Sequence, residues 1–434
     1  MFFLIMLLIF IIGIIIYVNI SKNKILGKIR KSENKSKKYF TQDKKIREEI
    51  KNNSKLRYIS DYVEYPITNN NDIYYYTSDE DILDAMLEEI KKAKKFIFME
   101  YFTITPGEFW DKILKALEER ANKGVEVRVI YDDVGSLTTL SRDYPKYLEK
   151  KKIKCVVFNK INPLSFPIMN NRNHRKMTIV DGKVAFTGGI NLADECINID
   201  KKYGYWKDSN IKIVGDAIWT YTVMFLSIWN VFRESDKDFL VFKYNFKNKK
   251  TNKSFIVPYG DTPLDKKQVS KNIYLNIINE ASKYLYISTP YLIIDNDMIN
   301  SLILAKKRGV DVRIVIPGIP DKKIIYTTTE IYAERLVKNG IKIYKYTPGF
   351  NHAKVFIADD KVATVGTINL DYRSLYLHFE CGCYLENDKV LNKIKKDIEE
   401  MIEESLLLDK KSTKPNFFKK PIQAILKIFA PLMW

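Results

Sequence analysis

The chain opens with an apolar run, Met1 to Val18, interrupted only by Gly13. As a helix rising 1.5 Å per residue this run is about 27 Å long, close to a bilayer's hydrocarbon thickness, and predicts a membrane span over residues 1–20. No basic residue precedes it, while Lys22, Lys24, Lys28, Arg30 and Lys31 follow. A cleaved secretory signal has the reverse order, so the reading is an uncleaved single-pass anchor with the bulk of the chain on the cytoplasmic side. The pattern then turns polar and Lys-rich, predicting a basic juxtamembrane linker over 21–71. Beyond it, short β-branched runs alternate with amphipathic helical segments. Phe96–Tyr101 and Leu285–Tyr291 both read as strands that follow a helix. Arg120–Ile130 and Ala305–Val315 both read as a helix ending at Gly and entering a buried strand.

The same order therefore occurs twice: strand, helix, strand, then a hairpin. This predicts an α/β protein of two similar lobes, each a mixed sheet flanked by helices, over 72–250 and 251–408, with pseudo-twofold symmetry and an active site where the lobes meet. Residues 409–434 mix large apolar side chains with lysines and end in Trp434, the pattern of a membrane-interfacial helix or of a terminal helix docked on the fold.

Both hairpins carry His-x-Lys-x-x-x-x-Asp: His174, Lys176 and Asp181 in the first, His352, Lys354 and Asp359 in the second, which uses two of the chain's three histidines. Side chains alternate along a strand, so each His shares a face with its Lys, while Met177 and Ile179, or Val355 and Ile357, face the other way. The Asp has opposite parity and sits at the turn, where a carboxylate bonds backbone amides; its expected contribution is catalytic or purely orienting. Asn191 and Asn369 each lie 17 residues after the motif histidine of their half.

The net charge of +19 calls for a polyanionic partner, nucleic acid or anionic lipid. Cys155, Cys196, Cys381 and Cys383 show no metal-binding spacing and read as reduced, packed thiols.

With the hairpins facing one another, a cleft would hold two imidazoles and two ammonium groups, a set suited to a phosphodiester. The lysines, helped by Asn191 and Asn369, stabilise charge on the phosphate oxygens; one neutral His attacks phosphorus and the other protonates the departing alkoxide. The lysines supply the positive charge, so no cofactor or metal is expected. Each His also needs an acceptor on its far nitrogen. Glu380, 28 residues after His352, is one candidate, and Asp208 is its counterpart in the first half. His378 reads as a structural or cleft-rim residue.

The paired HxKxxxxD motifs followed by Gly188-Gly189-Ile190-Asn191 and Gly366-Thr367-Ile368-Asn369 resemble the phospholipase D superfamily, and within it the bacterial cardiolipin synthases. The similarity extends over roughly residues 70–400, through Asn171–Lys176, Thr289-Pro290-Tyr291 and Leu370–Ser374. It implies one active site shared by two lobes. It implies transfer of a phosphatidyl group between two phosphatidylglycerol molecules, giving cardiolipin and glycerol, with His174 as nucleophile and His352 as acid/base. The chain departs from that pattern in having one N-terminal span where members often have two, and in having His378 where Asn is common. The expected partners are phosphatidylglycerol and the membrane; no protein partner or oligomeric state is signalled. A hydrolytic phospholipase D or a phosphatidylserine synthase would use the same residues with another acceptor. A nuclease would suit the charge, but the basic residues are massed beside the span and not interleaved with stacking aromatics, so no nucleic-acid partner is expected.

Overall fold

The computed structural model describes residues 2–161, 170–233, 236–247, 253–411 and residue 426; through residue 23 it gives the backbone with a minority of side chains. Two mixed sheets dominate it. The first has the strand order Asn71–Tyr76, Asn210–Gly215, Val184–Gly188, Met177–Val180, Phe96–Tyr101, Glu126–Asp132, Ile153–Phe158. The second repeats this as Phe255–Asp261, Glu380–Glu386, Val362–Gly366, Val355–Ala358, Tyr284–Ser288, Asp311–Pro317, Lys342–Tyr346, and adds Ser405–Leu407 at its edge. In both, the last three strands of the shared order are parallel and the motif hairpin pairs antiparallel to the first of them. The duplicated α/β arrangement expected from the repeat is thus present strand for strand.

Both faces of each sheet are covered, so the strands bury alternate residues in different cores. Phe96 and Phe98 enter a central core that also takes Val355 and Ile357 from the second sheet. Ile97 and Met99 face an outer core of the first lobe. The central core is filled by two helices, one from each lobe. Ile218–Phe232 carries no charged residue and is buried from Tyr221 to Trp229; a helix apolar on all sides belongs in a protein interior or a membrane. Phe98 stacks on Phe225 with centroids 4.6 Å apart. Its counterpart Val390–Glu403 is amphipathic and sends Leu391, Ile394, Ile398 and Met401 inward.

The N-terminal region departs from expectation. Residues 2–36 form one helix, so no break separates the anchor expected over 1–20 from the residues after it. Among the described residues no helix is long and apolar enough to cross a membrane. The linker expected over 21–71 is not a solvated connector. Ile29 is buried in the central core, and Ser32 Oγ donates to Ser227 O at 2.7 Å. Ile46, Ile50, Leu56, Ile59, Val63 and Ile67 join the outer core of the second lobe. These apolar residues recur every few positions among the lysines, giving short helical turns one face to bury, which bulk composition conceals. The tail expected over 409–434 lies, from residue 412 on, outside the described residues apart from 426.

The lobes exchange backbone. Gly349–Asn351 from the second lobe pairs in parallel with Tyr205–Lys207 from the first, and Asn173 bridges to Phe379. Beside the first crossing, Lys207 Nζ donates to Asp397 Oδ1 at 2.6 Å and to Thr77 O at 2.8 Å, and Tyr75 donates to Asp397 Oδ2 at 2.7 Å. Lys207 and Asp397 are both buried. Asp397→Ala leaves that ammonium without its carboxylate and is expected to destabilise the protein by about 3–5 kcal/mol in denaturant unfolding; a loss below about 1 kcal/mol would show that the lobes do not depend on this contact.

Candidate active site

Each motif histidine stands three residues ahead of the first strand of its hairpin, Met177–Val180 or Val355–Ala358. The Asn before it turns the chain: Asn173 Oδ1 accepts from Arg175 N–H at 3.3 Å, and Asn351 Oδ1 from Ala353 N–H at 3.1 Å. Asn173 Nδ2 is itself anchored on Glu100 at 2.6 Å, and Asn351 Nδ2 on Val315 O at 3.0 Å. Beyond the histidines, Met177 and Ile179, like Val355 and Ile357, pack into the central core, as alternation predicts.

The exchanged backbone then places each histidine against the other lobe. His174 N–H donates to Phe379 O at 2.9 Å, and its Nδ1 lies 2.9 Å from both oxygens of Glu380. His352 N–H donates to Lys207 O at 2.7 Å, and its Nδ1 lies 2.6 Å from Asp208 Oδ2. Both carboxylates named from the sequence therefore hold a motif imidazole, each across the lobe interface. An ionised carboxylate only accepts, so each Nδ1 carries the proton and each Nε2 is left as the free lone pair.

The two carboxylates are supported differently. Thr367 Oγ1 donates to Glu380. At the matching position of the first lobe stands Gly189, where an added Cβ would come 1.9 Å from Asp208 Oδ1; there Ser209 N–H donates to Asp208 at 2.8 Å. The Gly-Thr and Gly-Gly forms of the repeat thus mark which carboxylate each half must accommodate.

Lys176 Nζ donates to His174 O at 2.8 Å, and Lys354 Nζ to His352 O, which folds each ammonium back beside its own imidazole. Aromatic rings wall the site: Phe102 meets His174 edge-on at 5.0 Å, and Trp206 lies 4.9 Å from His352. Burial pushes His174 down to about 3, with Glu380 opposing and Lys176 reinforcing. It pushes His352 down to about 4, with Lys354 reinforcing and Asp208 opposing. Burial also lowers Lys176 to about 7 and Lys354 to about 8 against the pull of the carboxylates. Glu380 stays well below the usual carboxylate range: burial alone would raise it, but its pairing with His174, and then with His378, outweighs that. At neutral pH the site therefore holds neutral motif imidazoles, an ionised Glu380 and lysines poised to lose or keep a proton, and an anion entering it restores their charge.

The remaining expected residues divide. Asn369 is buried, and its Oδ1 has no hydrogen-bond partner among the described residues. Asn191 Oδ1 accepts from Thr103 N–H at 3.3 Å. Asp181 and Asp359 stand at the far ends of their strands with positive φ, 52° and 57°. Asp181 accepts from the amides of Lys94, Lys95 and Phe96, and Asp359 from those of Ser282, Lys283 and Tyr284. Neither reaches an imidazole; they tie the turn to the start of the neighbouring strand.

Other contributors went unassigned in the sequence. Asn173 and Asn351 were visible as a shared residue before each His. Arg175, between His174 and Lys176, donates through Nε to Glu380 O at 3.3 Å and through Nη2 to Glu33 at 3.3 Å, linking the N-terminal helix to the motif. Among the described residues, His174, His378 and Glu380 have donor atoms within 4.8 Å of one another, the spacing of a metal site. A cation there would have to displace the Nδ1 proton shared with Glu380 and stand near Lys176.

Asp359→Asn swaps a carboxylate oxygen for an amide that cannot accept from those donors, at a cost of about 1–2 kcal/mol. It is expected to lower Tm by several degrees while kcat stays within about tenfold of wild type; a thousandfold loss in kcat without a stability change would make Asp359 catalytic.

Residues 86–219 and 274–402 match the family model described as cardiolipin synthase, PLD-like domain. A cardiolipin synthase of Clostridium perfringens strain SM101 is 38% identical over 382 residues, 84% of this chain and 78% of the relative. Cardiolipin synthase 1 of Staphylococcus aureus strain COL is 33% identical over 384 residues, 85% and 75% of the two chains. The crystal structure of phosphatidylserine synthase from Haemophilus influenzae superposes with a TM-score of 0.68 at 16% identity, covering 88% of this chain and 98% of that one, and so shares the fold. With two PLD-like segments spread over both lobes and relatives aligned along most of its length, the chain belongs to the cardiolipin synthase, PLD-like domain family.

Proposed function

We propose that the protein is a cardiolipin synthase, joining two phosphatidylglycerol molecules into cardiolipin and glycerol. The observation that carries this is the crossed pair of imidazoles, each with Nδ1 on a carboxylate of the other lobe and each beside a lysine. Relatives named cardiolipin synthase support the choice of substrate.

His174 Nε2 attacks phosphorus and the bond from phosphorus to the glycerol oxygen breaks, its electrons leaving with that oxygen. His352, protonated once the anionic substrate is bound, delivers its proton there and glycerol departs. The phosphatidyl group is now on His174. His352 then takes the proton from a hydroxyl of the second phosphatidylglycerol; that oxygen attacks phosphorus, the N–P bond breaks and His174 is restored. Lys176 and Lys354 meet the charge that builds on the non-bridging oxygens, with Asn191 and Asn369 as further donors. The aromatic walls favour lipid over water as acceptor. Glu380 and Asp208 fix the tautomers.

In this reading the apolar first 18 residues attach the N-terminal end of the protein to the lipid, and the lysines that follow them lie beside an anionic leaflet on the cytoplasmic side.

Purified full-length protein in detergent, given labelled phosphatidylglycerol, is expected to yield cardiolipin and glycerol. His174→Ala and His352→Ala are each expected to lose at least about a thousandfold in rate, and only His352→Ala to retain a trappable phosphohistidine. Phosphatidic acid as sole product would make the enzyme a hydrolase; no lipid turnover would overturn the reading in favour of another phosphodiester.

The lysines carry charge below their lowered pKa and lose it as pH rises through about 7 to 8. Since kcat/KM reports the free enzyme, it is expected to fall with rising pH across that window; a profile flat to pH 9 would remove the lysines from transition-state stabilisation.

A further inference from the structure

His378 is the one histidine outside the repeated motif, and its surroundings are those of a site. It is 7% exposed, as is His174. The two rings lie 5.5 Å apart. Its Nδ1 stands 3.4 Å from Glu380 Oε1, on the carboxylate that also receives His174. Nδ1 has Glu380 as its neighbour, whereas Nε2 has no hydrogen-bond partner among the described residues. The backbone that carries the ring is held in place on both sides. His378 N–H donates to Arg373 O at 2.8 Å, and the next residue, Phe379, donates to Arg172 O at 2.8 Å and accepts from His174 N–H. A fixed, buried polar atom without a partner is rare in a folded protein and calls for a ligand or a water.

The chemistry of that ligand is dictated by Glu380. The carboxylate offers only lone pairs, so the ring nitrogen turned toward it carries the proton, and in that tautomer Nε2 presents its lone pair. A lone pair repels phosphate and ester oxygens and accepts a hydroxyl proton. On a phosphatidylglycerol molecule the esters and the phosphate are acceptors, and only the headgroup hydroxyls donate. We propose that His378 is a specificity-determining residue, whose Nε2 accepts a hydrogen bond from a hydroxyl of the polyol headgroup held beside His174. This rests on the phosphatidyl-transfer reading above and adds what that reading lacks, a group that distinguishes a polyol from a simple alcohol. The alcohol that leaves and the alcohol that enters pass through the same transition state in opposite directions, so one such contact serves both.

The test gives the full-length enzyme unlabelled phosphatidylglycerol in mixed micelles with isotopically labelled glycerol or 1-propanol as the acceptor, and compares the transfer rates per molar acceptor. A site built to bond a hydroxyl rejects an analogue lacking it, because its own polar atom is left unpaired. Wild type is expected to prefer glycerol by at least about tenfold. His378→Phe keeps a ring without the acceptor and is expected to reduce the preference to about threefold or less; His378→Gln, whose amide oxygen can accept, is expected to recover part of it. Should the Phe variant not fold, His378→Leu, which also lacks the acceptor, and the Gln variant carry the comparison. An unchanged preference with all rates lowered together would mean that His378 only braces Glu380, and would overturn the proposal, as would a wild type indifferent between the two alcohols. No turnover of phosphatidylglycerol by wild type overturns the parent reading and this one with it, whereas turnover with an unchanged preference in the variants overturns this one alone.

Discussion

The interaction on which the rest depends is the exchange of carboxylates between lobes: Glu380 of the second lobe on His174, Asp208 of the first on His352. A buried imidazole needs its far nitrogen satisfied, and a buried carboxylate needs donors, so neither lobe closes its own set of polar groups. The parallel pairing of Gly349–Asn351 with Tyr205–Lys207, and of Asn173 with Phe379, is the backbone expression of that requirement. The apolar helix Ile218–Phe232 and its partner Val390–Glu403 fill the space the crossing leaves between the sheets.

Much of this was legible in the sequence, for identifiable reasons. The motif's period of two put His and Lys on one face and Met177, Ile179, Val355 and Ile357 on the other, and the cores follow that division. Duplication gave the lobe plan, because any local pattern seen twice at matching offsets is a structural unit. Glu380 and Asp208 could be named, since an imidazole acting on phosphorus needs an acceptor behind it. What could not be read was who holds whom. The pairing is set by strands from different lobes, and no spacing within either half encodes it.

Two other features need the fold to be read. In the sequence Asp181 and Asp359 are equally catalytic or orienting residues of a turn; their positive φ and their bonds to the amides that lead into the neighbouring strand show a turn that is made twice. The segment 21–71 looked like a linker because its lysines dominate its composition and mask the buried apolar residues, Ile29 and those from Ile46 to Ile67, spaced among them. In both cases the property that decides is a contact with a distant element.

The crossed carboxylates also carry a statement about descent. If a single lobe once existed alone, its histidine lacked the acid that now orients it, and a second copy related by a twofold axis would have supplied that acid in exchange for its own. Fusing two such copies frees each half to change separately. The Thr367 that supports Glu380 and the Gly189 that makes room for Asp208 are differences of that kind: a symmetric constraint retained in the pairing, and broken in the residues that serve it.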